Sequence, residues 1–179
     1  MTDARLARRA FLRGAAAAAG GGALFASGLG CGTAPPPVDE KPAGLLDGLT
    51  DFDGKALEPV AVLGSVTLID FWASWCAPCR QAFRYLDQLY RTYAGDGLKM
   101  MGVCVDDDVL AGRRFWASAQ PRFPVAWDAK AAVRQRFNVG SLPTTILLDS
   151  NGFLVQRNEG FDPADHRLLE EHVHRLLRS

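Results

Sequence analysis

From residue 66 onward the hydrophobic positions of this chain keep two rhythms: short unbroken apolar runs, and longer stretches in which an apolar residue returns every third or fourth place. The first rhythm marks buried strands and the second amphipathic helices, so their alternation predicts strands and helices interleaved around one sheet. Val66 to Phe71 is apolar and largely β-branched except for Asp70, and reads as a core strand. From Cys76 to about Tyr93 the positions Phe83, Leu86, Tyr90 and Tyr93 share one helical face, with Gly95 as the expected stop. Leu98 to Val105 is the next apolar run, so strand, helix and strand form a βαβ unit with a right-handed crossover. Further helices are expected over 108–119 and 130–137. Thr144 to Leu148 and Phe153 to Gln156 flank Asp149-Ser150-Asn151-Gly152, a hairpin signal. Asp162 as N-cap and Pro163 at the first helical position open a last helix reaching about Arg178. Ahead of the core, residues 45–57 read as a short hairpin around Asp53-Gly54, and Val60 to Leu63 with Gly64 leads into the first core strand.

With 179 residues and 48% hydrophobic content, the chain suits one compact domain behind an N-terminal extension. Lys plus Arg and Asp plus Glu both number 20, so no bulk charge favours nucleic acid as a partner. The extension says more. Arg5, Arg8, Arg9 and Arg13 precede an uncharged Ala- and Gly-rich run from Gly14 to Gly30, which makes a poor membrane span but a fair export signal. Arg8-Arg9-Ala10-Phe11-Leu12-Arg13 resembles a twin-arginine signal, with an ordinary secretory signal as the alternative. Cys31 closes the run, and Gly32-Thr33-Ala34-Pro35-Pro36-Pro37 begins a stiff tether. Gly28-Leu29-Gly30-Cys31 resembles a lipobox, in which Cys31 becomes an acylated N-terminus; cleavage after Ala26-Ser27-Gly28 is the other option. The expected division is therefore a signal over 1–31, a Pro-rich tether over 32–45 and a folded domain over 46–179. That domain is expected to work in the periplasm or cell envelope, held to the membrane by lipid, where disulfides persist.

The chemistry concentrates at Cys76-Ala77-Pro78-Cys79, where the first core strand turns into its helix. Two thiols at that spacing can close into a small disulfide and reopen. At the helix start, free backbone N–H groups and the positive end of the macrodipole favour a thiolate, which makes Cys76 the candidate nucleophile. Cys79, one turn further on the same side, is placed to attack a mixed disulfide and release the product. A zinc knuckle would need four ligands, and beyond this pair the mature domain offers Cys104 and three histidines, none at finger spacing. A passive cross-link suits a small ring enclosing Pro78 and flanked by Trp75 less well than exchange does. Cys104, between Val103 and Val105, reads as a buried core thiol. His166, His172 and His174 do not stack on one face of the last helix, so they read as solvated, with no metal site expected.

Trp75-Cys76-Ala77-Pro78-Cys79, followed downstream by Gly140-Ser141-Leu142-Pro143-Thr144-Thr145, resembles the thioredoxin superfamily. More narrowly it is similar to the TlpA/ResA-like thiol-disulfide oxidoreductases of bacterial envelopes. The narrower likeness rests on Phe71-Trp72-Ala73-Ser74 ahead of the pair, on Asp53-Gly54-Lys55, on Val103 to Asp108 and on Leu142 to Gly152. The resemblance implies an α/β thioredoxin-like fold, a central mixed β-sheet flanked by helices, here with an N-terminal hairpin extension. It also implies that Pro143 is cis and faces the disulfide, and that the backbone at Leu142 and Thr144 binds an extended client peptide. Trp75 and Pro78 are the further client contacts expected. Asp70, a carboxylate inside an apolar strand behind the pair, is expected to be buried, to have a raised pKa, and to take the proton of Cys79 as it attacks. Thioredoxins carry Asp at that place, whereas the ResA branch more often has Asn, with a Glu three residues past the second cysteine. Here Ala82 stands at the Glu position and Arg84 where Pro is usual, so an acid missing from the helix is regained on the strand.

The function implied is reduction of disulfides in envelope proteins through the dithiol, with no cofactor beyond the redox-active Cys76–Cys79 disulfide. Expected partners are client protein thiols and disulfides, among them apocytochrome c CxxCH motifs during cytochrome c maturation or the cysteines of a copper centre. An upstream membrane thiol reductant is expected as well. The alternative is a copper metallochaperone on the same fold, which would use CxxxC with a nearby His; this chain has CxxC and no His close to it.

Overall fold

The computed structural model describes residues 44, 46–57 and 66–179. The export signal, almost all of the tether, Cys31 and the 60–64 lead-in lie outside the described residues. β1 (Val66–Trp72) is the middle strand of a five-stranded sheet ordered β3-β2-β1-β4-β5. On one side β2 (Leu98–Cys104) runs parallel to β1, and β3 (Val125–Trp127) parallel to β2. On the other side β4 (Thr144–Leu148) is antiparallel to β1, and β5 (Leu154–Glu159) antiparallel to β4. Every residue of β1 is buried. A strand covered on both faces is apolar throughout instead of alternating, which is the pattern its sequence shows.

Alternation still decides which side chain faces which layer. Trp72 packs against Phe83 of α1 (Ala77–Tyr93) with ring centroids 4.9 Å apart, whereas Phe71 packs against Phe137, just past α3 (Ala132–Arg136), at 5.5 Å. Successive strand residues point to opposite faces, so Leu68, Asp70 and Trp72 look toward α1.

The buried stripe of α1 is Cys79, Ala82, Phe83, Leu86 and Leu89; Tyr90 and Tyr93, expected on that face, sit half-buried at its margin. Gly95 does not stop this helix. The chain tightens into a 3-10 turn over Ala94–Asp96 and reverses at Gly97, whose φ of 107° is the left-handed geometry that glycine tolerates. α2 (Val109–Ala119) is capped by the Asp108 carboxylate, which accepts the Leu110 N–H at 2.9 Å. β3 was not foreseen: three residues behind Pro121 and Pro124 are too short to show a period.

Residues 46–57 close into the short hairpin expected around Asp53-Gly54, paired at the antiparallel bridge Thr50–Ala56, with the Asp51 N–H donating to the Lys55 carbonyl at 2.8 Å and the Leu57 N–H to the Leu49 carbonyl at 3.1 Å. Asp51 Oδ1 accepts the N–H groups of Asp53 and Lys55 at 2.9 and 2.8 Å, which fixes the turn and keeps the ladder short. Thr50 also bridges Trp127, so this turn lies along the outer edge of β3.

α4 (Pro163–Leu176) opens as expected, with Asp162 Oδ1 accepting the Ala164 N–H at 2.7 Å and Pro163 in the first turn. His166, however, is not solvated. It is 1% exposed, with its ring between Phe161 and Tyr85 at centroid distances of 4.5 and 4.6 Å. Its Nδ1 lies 2.7 Å from the Asp162 carbonyl oxygen, and the Tyr85 hydroxyl donates to its backbone carbonyl. The reason is periodic: His166, Leu169 and Val173 form the buried stripe of α4, a relation hidden when the histidines are compared only with one another. His172 is half-buried, its Nδ1 2.6 Å from Gln156 Oε1, while His174 is exposed. Among the described residues no helix is long and apolar enough to cross a membrane.

Candidate active site

Cys76 is the N-cap of α1, with extended backbone geometry, and Cys79 lies in the first turn, so the chain leaving β1 delivers both sulfurs to one end of the helix. They are bonded to each other, with Cα atoms 5.3 Å apart. The Cys79 N–H donates to Cys76 Sγ at 3.2 Å. That amide and the helix dipole behind it favour negative charge on Cys76 once the bond is reduced. Cys76 is 4% exposed and Cys79 is fully buried, so the first sulfur is the one a client reaches. Pro78 falls in the first helical turn, where no intrahelical N–H is missed, and is exposed. Trp75 stands beside the pair at 70% exposure, a large apolar surface left in water.

Asp70 is fully buried on the α1-facing side of β1. Its cross-strand neighbour Thr145 donates to Oδ1 at 2.9 Å, and Oδ2 has no hydrogen-bond partner among the described residues. Burial pushes the carboxyl up to about 7, an effect the Thr145 hydroxyl only partly opposes. The group can therefore hold or release a proton near neutral pH.

The Leu142–Pro143 bond is cis, and Pro143 is buried. The segment is fixed by its neighbours: the Pro143 carbonyl accepts the Gly160 N–H at 2.8 Å, and the buried Thr144 donates its hydroxyl to the Ser141 carbonyl at 2.8 Å. The Leu142 backbone N–H and C=O have no partner among the described residues. Leu142 thus offers both main-chain groups to an incoming strand.

Asp106, at the end of β2, was not singled out by the sequence, yet its side chain organises the loop before Cys76. Oδ2 accepts the Ser74 N–H at 2.8 Å, and Oδ1 accepts the Ser74 hydroxyl at 3.1 Å. The Cys104 thiol donates to Oδ2 at 3.4 Å, and the Trp127 indole N–H donates to the Asp106 carbonyl at 2.9 Å. Of Asp106, Asp107 and Asp108 only Asp106 is buried, a choice the sequence does not mark, since Asp108 shares its parity with Cys104. Burial pushes the Cys104 thiol well above its ordinary pKa, so it stays protonated. Among the described residues no three His, Cys, Asp or Glu side chains gather into a metal-holding group.

Comparison with known proteins agrees with this geometry. The family model described as Redoxin matches residues 37–173. The thiol-disulfide oxidoreductase ResA of Geobacillus kaustophilus is 33% identical over 131 residues, covering 73% of this chain and 72% of that protein. ResA of Bacillus cereus strain ZK is 31% identical over 109 residues, and the match spans 63% of its length. Among solved structures, a protein named thiol:disulfide interchange protein DsbE from Chlorobium tepidum aligns with a TM-score of 0.69 and 32% identity, covering 77% of this chain and 98% of that one.

Proposed function

The chain belongs to the Redoxin family and carries the dithiol machinery of its thiol-disulfide oxidoreductases, and from that premise we propose that it reduces disulfides of client proteins outside the cytoplasm. The observation that carries the reading is the reversible-looking pair itself: a partly reachable sulfur at a helix N-cap, bonded to a buried one a turn away. In the reduced protein the Cys76 thiolate attacks one sulfur of the client disulfide; the second client sulfur leaves as a thiolate and takes a proton from water. Cys79 then gives its proton to Asp70 and attacks Cys76 Sγ, expelling the remaining client sulfur and closing the Cys76–Cys79 bond. Two electrons pass to the client, and an upstream membrane thiol reductant returns them. The unpaired Leu142 main chain and the exposed Trp75 and Pro78 hold the client strand across the pair.

The extracytoplasmic reading is supported by the Arg-led, Gly-rich N-terminal run and by Cys31 ahead of its Pro-rich tether. Changing Cys79→Ser removes the resolving thiol, so Cys76 is expected to hold clients as stable mixed disulfides identifiable by mass spectrometry after non-reducing isolation. Cytochrome c maturation factors in that set would assign the protein to haem attachment, and copper-centre subunits to metal-site reduction. A variant that accumulates no mixed disulfide, although the wild type is reduced and oxidised normally, would refute the reading.

A further inference from the structure

Next to the disulfide a furrow separates α1 from α2. One stretch of about 320 Å3 lies between Arg80, Phe83 and Arg84 on one side and Phe115, Ser118 and Pro121 on the other. A second stretch of about 370 Å3 shares Arg80, Phe115 and Ser118 with it and reaches Ser74 and Arg114, so the two are continuous. The floor is aromatic, with the Phe83 and Phe115 rings 5.3 Å apart. Above it the Arg80 guanidinium lies 5.3 Å from the Phe115 centroid and donates to the Ser74 carbonyl at 3.3 Å, two residues before Cys76. Arg84 is exposed and has no partner among the described residues. Arg114 meets a carboxylate only at 3.7 Å, that of Asp108, with both side chains largely in water. Asp87, the one acid lining the furrow among the described residues, is already engaged by Arg91 at 2.7 Å and by the Arg122 N–H at 2.7 Å.

A chain with no net charge thus places three guanidinium groups, those of Arg80, Arg84 and Arg114, along one furrow that reaches Ser74, two residues before Cys76. We propose that this furrow docks an acidic, extended segment of the client chain lying next to the client's disulfide. The proposal rests on the oxidoreductase reading and names the kind of client it serves. An arginine fork donates two parallel N–H bonds to one carboxylate, and the aromatic floor covers the apolar stems of Asp and Glu. Such complementarity raises the encounter rate and fixes the direction in which the client strand crosses Cys76.

The test uses the full chain in its reduced form and two synthetic disulfide peptides, identical except that one carries three Glu and the other three Gln beside the same cysteine. The acidic peptide is expected to have the higher kcat/KM at low salt, by about two- to fivefold for each arginine engaged, and the advantage is expected to vanish near 0.5 M salt, where the screening length is about 4 Å. Arg84→Glu is expected to cut the acidic-to-neutral ratio by at least the factor of one arginine, and Arg84→Lys to keep most of it. Equal kcat/KM for both peptides in the wild type, or a ratio unmoved by Arg84→Glu, overturns the furrow while leaving the oxidoreductase reading intact. Reduction of neither peptide overturns both.

Discussion

A carboxyl that gives up its proton near neutral pH inside a strand ties the stability of this fold to its chemistry. The folded-state value of about 7 for Asp70 lies above its ordinary 3.8, so between those values the folded chain holds a proton that the unfolded chain has lost. Stability contributed by the neutral acid is therefore full below about pH 4, falls as pH rises to about 7, and is absent beyond, a difference of about 4 kcal/mol. Asp70→Asn keeps an acceptor for the Thr145 hydroxyl and removes the charge. Urea unfolding is expected to show the variant well above the parent at about pH 8, and level with it near pH 4. An equal gap at both pH values would mean that burial of the charge is not the cause. The same variant is expected to slow closure of the Cys76–Cys79 bond, since Cys79 loses its proton acceptor. Asp70 was readable from the chain because one acid in an apolar run is conspicuous. Asp106 was not, because in a run of three acids only the folded sheet decides which one turns inward.

Between elements, the tightest joint near the site is where α2 crosses the end of β2. A Cβ on Gly112 would lie 2.6 Å from Cys104 Sγ and 3.1 Å from Asp106 Oδ2, closer than packed atoms approach. Gly112→Ala gains helix propensity of about 1 kcal/mol but has to push back a strand side chain, a net loss expected at about 1–2 kcal/mol. Because Asp106 moves with Cys104, the Ser74 loop shifts too, and thiol exchange is expected to slow alongside the drop in urea midpoint. In a Cys104→Ala background the obstructing sulfur is gone, and the same Gly112 substitution is expected to cost less; an unchanged cost would place the clash elsewhere. Most elements could be read from the chain for the reason that makes them stable: β1, α1, β2, β4 and α4 each carry a long enough period or a cap. β3 and the tightened end of α1 could not, since a three-residue strand and a 3-10 turn are too short to carry a period of their own.

At the scale of the whole molecule, the thioredoxin-like layout could be read because the cysteine pair and Leu142-Pro143-Thr144-Thr145 sit at fixed places in it, on either side of β1 and β4. The furrow could not, because it is made by two helices whose facing residues are over thirty positions apart in the chain. Membrane attachment belongs to this scale as well. If Cys31 is acylated, wild-type protein is expected in the membrane fraction and Cys31→Ala in the soluble envelope fraction; wild type found soluble would instead mean ordinary cleavage. Within the described residues three cysteines share one core, yet only Cys76 and Cys79 are bonded to each other. Cys104 is sealed under Gly112, bonded to Asp106 and kept protonated by its burial. The domain consequently carries two electrons or none, and no third thiolate competes for a half-finished mixed disulfide. On the proposed mechanism each cycle begins at Cys76 and ends in the Cys76–Cys79 bond, and Cys104 offers no competing partner.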